Sequence, residues 1–544
     1  MKKLLALLIA LAMLWAVVPS LAEDGASEEP VSVTIFHTND THGRYDSAEG
    51  MGFAMMASFV NAERANGANV LVLDAGDTLH GTVFANIGEG ENIVEVMNSI
   101  GYSAMTPGNH DFNYGYDRLK ELEETMDFPL LNANILLEDG SHAFTPYTIL
   151  EIAGKKIAIV GAANPTIQSS IHPDYIQGLV FEGIEPVAEA VQAIRDEADA
   201  VIILCHWGCD AAYDPNSVEA LASIEGVSLV IDGHSHTALY DIVQRSREED
   251  AQSDPPLVTS AGEYLQWLGK VVLTFAEEGL YVQASLIPDP GLYEDHDIIN
   301  LLETLESEQS EEMDQVVGST SVELIGEREI VRRSESNWGN LVCDILLDAT
   351  DADVAITNGG SIRATIPAGD ITARDVNTVF PFGNLVVLME VSGQDLLDSL
   401  EGGLSVYPET NGGFPQVGGM TVRFDPAAEP GERIVEVLVG GEPLDPEATY
   451  KLATNDYLAT GQDGYTPLGE AEVLFTMGAM DEVIINYLKE NSPVAPEVEG
   501  RMVAIDAQAE AEAEPEETEA ETEAEETTEP TAEDESEEAE DDAA

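Results

Sequence analysis

The sequence predicts an α/β protein with two layered domains joined by a helix, and three observations support this. The chain has 544 residues, which is more than one hydrophobic core ordinarily holds. Up to about residue 300, short runs of Val, Ile and Leu alternate with amphipathic segments, as buried strands and covering helices do. Beyond residue 317, glycine turn signals become frequent and strand, helix and loop patterns are mixed.

We therefore divide the chain into an N-terminal α/β domain over 31–300, a linker helix over 301–316 and a smaller α/β domain over 317–506. Residues 1–22 have the basic start, apolar stretch and small-residue end of a secretory signal peptide, although an uncleaved anchor is an alternative. No later apolar run is long enough to span a bilayer. We expect a secreted, periplasmic or cell-surface protein.

The individual elements of the N-terminal domain follow from the apolar runs. Strands are predicted over 31–36, 70–73, 157–160, 201–204 and 229–231, and helices over 92–99, 115–125 and 185–197. The polar, Glu-rich pattern over 298–312 predicts the linker helix. The smaller domain shows no clear repeat, and its elements are not predicted one by one.

The net charge of −81 limits the classes of partner. Part of it lies in 507–544, which has 19 acidic residues, no basic residue and almost no large apolar one, so we expect a disordered tail. The rest of the chain is still strongly acidic, which argues against nucleic-acid polymers and anionic membranes as partners. An anionic substrate would need a local basic site. No protein partner is indicated.

The three cysteines, Cys205, Cys209 and Cys343, are too few for a disulfide scaffold. Two of them lie on either side of His206. We interpret Cys205 as a small packing residue at the end of a strand. A thiolate ligand at Cys205 and a disulfide between Cys205 and Cys209 stay open as alternatives.

Five motifs of metal-binding residue types occur in a fixed order, and nearly all of them follow an apolar run directly. They are Asp40-Thr41-His42, Gly76-Asp77, Gly108-Asn109-His110-Asp111, His206 and Gly233-His234-Ser235-His236. Asp-x-His and Gly-Asp are common alone, and Gly108-Asn109-His110-Asp111 is more specific. Together the motifs offer carboxylate, amide and imidazole ligands, which suit two divalent metals such as zinc, manganese or iron. Loops at the carboxyl ends of strands converge at one edge of a sheet. The order predicts a dinuclear site and, with it, phosphoester hydrolysis.

The remaining histidines are interpreted as packing or surface residues. They are His37, His80, His142, His172 and His296. Among them, His37 and His80 lie nearest in sequence to the motifs.

This motif set resembles that of the calcineurin-like metallophosphoesterases. Over 31–505 the chain is similar to the secreted 5′-nucleotidase family, which includes UDP-sugar hydrolases and 2′,3′-cyclic-nucleotide phosphodiesterase/3′-nucleotidases. The resemblance implies a metallophosphoesterase domain followed by a substrate-binding domain. It implies one metal held by Asp40, His42, Asp77 and His236, and a second held by Asp77, Asn109, His206 and His234. Asp77 would bridge the two divalent ions, zinc, manganese or similar, and His110 would face the phosphate and stabilise its transition state.

The smaller domain carries further matches to this family. They are Arg332 before Asn337-Trp338-Gly339-Asn340, the segment Asn358-Gly359-Gly360-Ser361-Ile362-Arg363, the turn Phe380-Pro381-Phe382-Gly383-Asn384, Tyr457, and Gly461-Gln462-Asp463-Gly464-Tyr465. The resemblance implies a nucleoside site built from Arg332, Asn358, Arg363, Phe382, Tyr457 and Asp463. Two aromatic rings would enclose the base and the aspartate would bind the ribose. Phe382 as a core residue is the alternative.

Two positions depart from the pattern of typical 5′-nucleotidases. Asn113 stands where an aspartate orients the catalytic His110, and Gln462 stands where a glycine is usual. The segment that contains Asn113 looks like the cyclic phosphodiesterase branch, and the loop that contains Gln462 looks like the 5′-nucleotidase branch. We expect a secreted dinuclear-metal enzyme that cleaves nucleoside 5′-phosphates. A 2′,3′-cyclic phosphodiesterase/3′-nucleotidase or UDP-sugar hydrolase is the first alternative, and a nucleotide-capturing binding protein is a different class.

Overall fold

The structure is a computed structural model that describes residues 30–505 except 49, 212, 214, 240–244, 247–255 and 292. The predicted signal peptide over 1–22 and the predicted acidic tail over 507–544 lie outside the described residues. Among the helices that are described, none combines the length and the apolar character that crossing a bilayer requires.

The N-terminal half consists of strands and helices in alternation. Its strands are β1 (Val31–Thr38), β2 (Asn69–Asp74), β3 (Ala104–Met105), β4 (Ile135–Leu137), β5 (Tyr147–Ile152), β6 (Lys155–Ala163), β7 (Leu179–Phe181), β8 (Ala200–His206), β9 (Leu229–Asp232), β10 (Ala238–Leu239), β11 (Arg245–Ser246), β12 (Leu257–Ala261), β13 (Trp267–Ala276) and β14 (Gly279–Pro288). Its helices are α1 (Gly52–Ala65), α2 (Val83–Ile87), α3 (Glu91–Ile100), α4 (Tyr116–Thr125), α5 (Glu185–Ile194) and α6 (Ser217–Ala220). Short 3₁₀ turns lie at His110–Phe112, Pro165–Ser170 and Pro173–Ile176.

Two six-stranded sheets face each other in this half, with strand orders β11-β14-β13-β1-β2-β3 and β10-β12-β9-β8-β6-β5. Alternate residues of each strand point to opposite faces. Ile35 of β1 and Ile202 of β8 share the core between the sheets. Phe36 packs instead with α1 and α3, and Ile203 packs with α5. The result is a four-layer α/β arrangement, and the α/β prediction is confirmed.

Parallel pairing places the ends of the key strands together. β1, β2 and β3 are parallel neighbours in the first sheet, and β6, β8, β9 and β12 are parallel neighbours in the second. The carboxyl ends of β1, β2, β3, β8 and β9 are each followed within a few residues by one of the five motifs, or end on it. The fold therefore brings the motifs to one edge shared by both sheets.

The predicted helix over 185–197 is three residues too long, because α5 ends at Ile194. Asp196 and Glu197 follow directly, and negative charge at the carboxyl end of a helix is unfavourable with respect to the helix dipole. The predicted linker helix corresponds to α7 (His296–Met313), which begins where Asp295 accepts hydrogen bonds from the backbone N–H groups of Asp297 and Ile298. One face of α7 packs against the core of α1 and α3.

The C-terminal half has a five-stranded, a four-stranded and a two-stranded sheet, the last formed by the first and third strands of this half. Its strands are β15 (Val316–Thr320), β16 (Val354–Asn358), β17 (Gly369–Thr372), β18 (Leu385–Ser392), β19 (Pro415–Gly418), β20 (Met420–Phe424), β21 (Ile434–Val439), β22 (Glu442–Pro443), β23 (Thr449–Asn455), β24 (Glu472–Ala479) and β25 (Met502–Ala504). Its helices are α8 (Arg328–Val331), α9 (Asn337–Thr350), α10 (Ala373–Val379), α11 (Gly393–Gly403), α12 (Asp456–Ala459) and α13 (Met480–Asn491), with 3₁₀ turns at Gln462–Gly464 and Thr466–Glu470.

The five-stranded sheet of this half has the order β19-β16-β23-β18-β24 and is covered on both faces. Helices α9, α10 and α13 pack on one face. Helix α11 and the four-stranded sheet β22-β21-β20-β25 pack on the other. The end of β16 and the loop after it, the segments after β23 and the segment before β18 carry five of the six residues predicted to bind a nucleoside. The sixth, Arg332, directly follows α8.

Candidate metal centre and nucleotide pocket

The five motifs meet in space at the shared sheet edge. Three groups of side chains hold their ligand atoms within 4.8 Å of one another, and these are Asp40, His42 and His236; His42, Asp77 and His110; and Asp77, His206 and His234. The first and third groups fall within the two predicted ligand sets, and Asp77 belongs to two groups. The seven ligand roles themselves stay a prediction.

The distances show ligand atoms directed at common points. His42 Nε2 and His236 Nε2 lie 3.1 Å apart, and His236 Nε2 is 3.5 Å from Asp40 Oδ1. On the other side, His206 Nε2 is 3.1 Å from Asp77 Oδ2. Two imidazole nitrogens and a carboxylate oxygen this close to one another form an arrangement that a bound cation would stabilise.

The backbone at this edge is strained in a pattern that singles out the ligands. Eleven non-glycine residues in the described part of the chain have positive φ, and five of them are predicted ligands: Asp40, His42, Asp77, His234 and His236. A non-glycine residue with positive φ costs free energy, and such residues cluster at functional sites. Gly108 leaves room for the Asp77 carboxylate, because a Cβ at this position would lie 2.2 Å from Asp77 Oδ1.

A supporting set of hydrogen bonds holds the ligands in place. The backbone carbonyl of Ala75 lies 2.8 Å from His206 Nδ1, which fixes the Nδ1–H tautomer and turns Nε2 toward Asp77. Glu263 contacts His236 Nδ1 at 2.6 Å. The buried Asp111 carboxylate accepts hydrogen bonds from four backbone N–H groups, those of Asp77, Thr78, Leu79 and Gly108. Sequence reasoning missed Glu263, whereas Asp111 lay within a motif but was given no role.

The charges of the site favour a cation. Burial raises the pKa of Asp40 to about 6. Burial also acts on Asp77, but His206 and His110 hold its pKa well below the usual range. Against the effect of burial, the Asp77 carboxylate raises the pKa of His206 to about 10. A cation at this edge would therefore displace a proton from His206 Nε2.

Two buried atoms give a direct test of whether the residues fit divalent ions. Asn109 Oδ1 is buried and has no hydrogen-bond partner, and the buried His206 Nε2 faces the Asp77 carboxylate at 3.1 Å. A buried polar atom without a partner is costly, and both are atoms that coordinate metals. Burial lowers the pKa of His234 to about 3, which leaves its imidazole neutral and able to coordinate. The donor set fits a pair of divalent cations.

His110 and Asn113 lie next to this cluster. The backbone N–H of His110 donates to Asp77 Oδ1 at 2.7 Å. Asn113 Nδ2 is 3.3 Å from His110 Nδ1 and 3.1 Å from His80 Nδ1. His80, which the sequence left without a role, is thus within hydrogen-bond distance of the residue predicted to orient His110.

The three cysteines and His37 lie outside the ligand clusters of the described residues. All three cysteines are free thiols, so the alternative of a Cys205–Cys209 disulfide is wrong. Cys205 is fully buried in an apolar core, and its thiol donates to the carbonyl of Ile231 and to Asp232. His37 is also fully buried.

The six residues predicted to bind a nucleoside line one pocket of about 450 Å³ in the C-terminal half. The full lining is Arg332, Asn358, Gly360, Ser361, Arg363, Phe382, Asn384, Gly412, Tyr457 and Asp463. Phe382 is 53% exposed and Tyr457 is 42% exposed. The alternative that Phe382 is a core residue is therefore wrong. Two exposed aromatic rings at a concave polar surface are typical of a site for a planar ligand.

Asp463 is held by its neighbours rather than free. Its two carboxylate oxygens accept from Tyr457 Oη and from Asn358 Nδ2, each at 3.1 Å. The guanidinium of Arg363 lies 5.4 Å from the centre of the Phe382 ring. The pocket thus contains a positioned carboxylate and, in Arg332 and Arg363, two cationic groups on an otherwise acidic protein.

The pocket and the metal centre belong to different halves but adjoin each other. A Cβ on Gly383, next to Phe382, would lie 2.4 Å from the carbonyl oxygen of Gly81, which follows His80. Asp456, next to Tyr457, interacts electrostatically with Arg44, which lies two residues after His42. The pocket wall therefore rests on the segments that carry the metal-binding motifs.

Comparison with known proteins agrees with this geometry. A family model for calcineurin-like phosphoesterase matches residues 33–238, and one for the 5′-nucleotidase C-terminal domain matches residues 316–470. The 5′-nucleotidase of Diplobatis ommata is 31% identical over 545 residues, which cover 88% of this chain and 91% of that protein. The crystal structure of a 5′-nucleotidase precursor from Thermus thermophilus is 31% identical, covers 87% of this chain and 99% of the other, and superposes with a TM-score of 0.52.

The trifunctional nucleotide phosphoesterase protein YfkN of Bacillus subtilis is 32% identical over 527 residues. That match covers 86% of this chain, which spans 35% of the length of the Bacillus protein. The resemblance inferred from the motifs is confirmed by the matches that extend over whole proteins. The chain belongs to the 5′-nucleotidase family, with a calcineurin-like phosphoesterase domain followed by a 5′-nucleotidase C-terminal domain.

Proposed function

We propose that this chain hydrolyses nucleoside 5′-phosphates to nucleoside and inorganic phosphate, using two divalent metal ions held at the shared sheet edge. Family membership makes it a metal-dependent phosphoric monoester hydrolase. The observation that carries the choice of substrate is the pocket, where all six residues expected at a nucleoside site line one cavity. That cavity adjoins the candidate metal centre through Gly383 and Gly81.

The ligand assignment is part of this proposal. Asp40, His42, Asp77 and His236 would hold one ion, and Asp77, Asn109, His206 and His234 the other. Bound divalent ions supply an activated water and neutralise phosphate charge. Asp77 suits the bridging position because its carboxylate lies within reach of ligand atoms from both sides.

His110 is the proposed catalytic residue of the chain. Asn113 Nδ2 lies beside His110 Nδ1, and an amide donor there leaves the imidazole proton on Nε2. Burial lowers the pKa of His110, which also favours the neutral ring. A neutral His110 would donate from Nε2 to a phosphate oxygen and stabilise the charge that develops in the transition state.

The C-terminal pocket would position the substrate. Phe382 and Tyr457 would stack on the base, and Asp463 would accept hydrogen bonds from the ribose hydroxyls. Arg332 and Arg363 would attract the phosphate end of the substrate toward the metal centre. Holding the nucleoside in this way converts the attack on phosphorus into an oriented step.

A second candidate substrate class is favoured by one observation. An amide at Asn113, rather than a carboxylate, resembles the cyclic phosphodiesterase branch of the family, so 2′,3′-cyclic nucleotides and 3′-nucleotides are the first alternative, with UDP-sugars next. A protein that only captures nucleotides would not need the buried metal-binding atoms of His206 and Asn109, which argues against that class.

A substrate panel tests the proposal. The purified chain would be incubated with AMP, ADP, 3′-AMP, 2′,3′-cyclic AMP and UDP-glucose in the presence of Mn²⁺ or Zn²⁺. The products would be separated and quantified by chromatography, because opening a cyclic phosphodiester or cleaving UDP-glucose releases no inorganic phosphate. We expect the largest kcat/KM for AMP and no release after chelation with EDTA. A larger kcat/KM for the cyclic nucleotide would move the chain to the alternative, and binding without release would contradict hydrolysis.

We also propose an extracytoplasmic location, on the basis of the signal-like pattern over 1–22. N-terminal sequencing of the protein from culture medium and cell fractions tests this. A mature protein that starts after residue 22 is expected, whereas intact protein confined to the cytoplasm would contradict it.

A further inference from the structure

A series of neighbouring polar side chains connects the C-terminal half to His110. Asn113 Nδ2 lies 3.1 Å from His80 Nδ1 and 3.3 Å from His110 Nδ1, so one amide can donate to both rings. On the far side of His80, its Nε2 lies 4.0 Å from Glu482 Oε2. Glu482 stands in the first turn of α13, about 400 residues away along the sequence.

The proton positions on the two imidazole rings determine which group donates in each of these hydrogen bonds. If both Nδ1 atoms accept from Asn113, both rings carry their proton on Nε2. His80 is fully buried, and burial keeps its ring neutral by lowering its pKa to about 3. The Nε2–H of His80 then faces Glu482 Oε2, and these two atoms are both buried and lack any other hydrogen-bond partner.

The remaining gap is small. At 4.0 Å the two atoms are beyond hydrogen-bond distance. A closure of about 1 Å between the halves would make the bond, and it would satisfy both unpartnered atoms at once. No further polar group is needed to connect Glu482 with His110 through His80 and Asn113.

Helix α13, which carries Glu482, is also hydrogen-bonded to the wall of the nucleoside pocket. The backbone N–H of Met480, at the start of α13, donates to the carbonyl of Asn384 at 2.7 Å, and Asn384 lines the pocket. The adjoining Gly383 packs against Gly81, next to His80. Movement of the pocket wall therefore displaces both ends of the Glu482–His80 contact.

We propose that His80 is a positioning residue for His110, acting through Asn113, and that Glu482 supports it from the C-terminal half. The alignment of the catalytic ring then depends on where the C-terminal half sits. This inference rests on the proposed role of His110 and names two residues to which neither the motifs nor the family comparisons assign a role.

Paired substitutions test the inference in the full chain with Mn²⁺ bound. His80→Leu removes the acceptor for Asn113, whereas His80→Asn retains an oxygen near the position of Nδ1. Glu482→Leu removes the acceptor for His80, whereas Glu482→Gln retains one. Glu312→Gln, an exposed carboxylate in the same groove between the halves, is the control.

We expect kcat for AMP to fall about 10- to 100-fold in His80→Leu and by a smaller factor in Glu482→Leu, the scale for misplacing a catalytic group by about 1 Å. KM should change less than about twofold in both, since neither residue lines the nucleoside pocket. Recovery to within about threefold is expected in His80→Asn and Glu482→Gln, with no change in the control.

A double-variant comparison separates positioning from general structural damage. If His80 acts through Asn113, His80→Leu combined with Asn113→Ala should be no slower than Asn113→Ala alone. Losses that multiply, or a His80→Leu variant with kcat within twofold of the unmodified chain, would overturn the inference. If His80→Leu does not fold, the Glu482→Leu and Glu482→Gln pair decides in the same way.

The outcome is distinguishable from failure of the proposed function. If the unmodified chain releases no phosphate from AMP, the same variants are compared on whichever phosphoester of the panel it does cleave. A chain that cleaves none of them removes the proposed function and the inference together. Unequal metal content, measured by mass spectrometry, would assign the kcat loss to the metal centre and overturn the positioning role.

Discussion

The metal centre and the nucleotide pocket are supported in opposite ways. Most of the proposed metal ligands are buried, with Asp40 and His206 fully inaccessible, and they stand on strand ends with strained backbone. The pocket has its two aromatic rings on the surface, Phe382 at 53% exposed and Tyr457 at 42% exposed. The fold alone buries most of the centre, whereas it leaves both aromatic rings of the pocket exposed.

The contrast assigns the chemistry to the buried centre and the substrate preference to the open pocket. A buried centre held by Ala75, Glu263 and Asp111 has its geometry set before substrate arrives, which favours the transition state. An open pocket with exposed rings tolerates different bases and gains free energy from stacking. Changes in the centre should therefore abolish turnover for every substrate, and changes in the pocket should alter preference.

The largest effect is expected from Asp77→Asn. It removes the negative charge proposed to serve both ions, so turnover should fall at least about a thousandfold on every phosphoester. The fold should persist, because the change is isosteric. Turnover and metal content are measured together, with the exposed Asp46→Asn as the control. A variant with a tenth of normal turnover and full metal content would remove Asp77 from the bridging position.

A smaller and selective effect is expected from Tyr457→Ala. Base stacking on an aromatic ring is worth about 1–3 kcal/mol, which corresponds to roughly ten- to a hundredfold in affinity. We expect this loss in kcat/KM for AMP and little loss for a small aryl phosphate, which has no base. Kinetics of both substrates on one preparation decide the matter, and equal losses would make Tyr457 a structural residue.

The smallest effect concerns stability at the contact between the halves. Burial and the neighbouring Asp481 raise the pKa of Glu482 to about 8, against about 4.3 in an unfolded chain. The folded state binds the proton more tightly, so this carboxyl reduces stability as pH rises from about 4.3 to about 8. Its side chain is 26% exposed, which reduces the effect.

Glu482→Gln should therefore melt at the same temperature as the unmodified chain at pH 4 and at a higher temperature, by on the order of 1–2 °C, at pH 8. Thermal melts across this range, with Glu312→Gln in parallel, measure the difference. A variant that melts lower at pH 8 would show that the ionised carboxylate stabilises the contact.

Much of the fold was predictable because it depends on local pattern. The predicted helix over 92–99 corresponds to Glu91–Ile100, and each predicted strand lies within an observed one. The convergence of the motifs followed from their position at the ends of buried parallel strands. The elements of the C-terminal half were not predicted, because its glycine-rich segments carry little periodicity.

The supporting residues of the site could not be predicted in the same way. Glu263 reaches His236, and Glu482 faces His80, only through tertiary packing. No local pattern marks either residue, since an isolated glutamate on a loop or helix is ordinary in so acidic a chain. The positive φ angles of the ligands are likewise set by the surrounding structure rather than by residue type.

The separation of chemistry and recognition is tested most directly by calorimetric titration of adenosine into the full chain with Mn²⁺ bound and again after EDTA treatment. Adenosine lacks a phosphate, so it should engage the C-terminal pocket alone. We predict a Kd that agrees within about twofold in the two states, while AMP hydrolysis is lost on chelation. A Kd that weakens tenfold or more without metal would show one interdependent site and contradict the account.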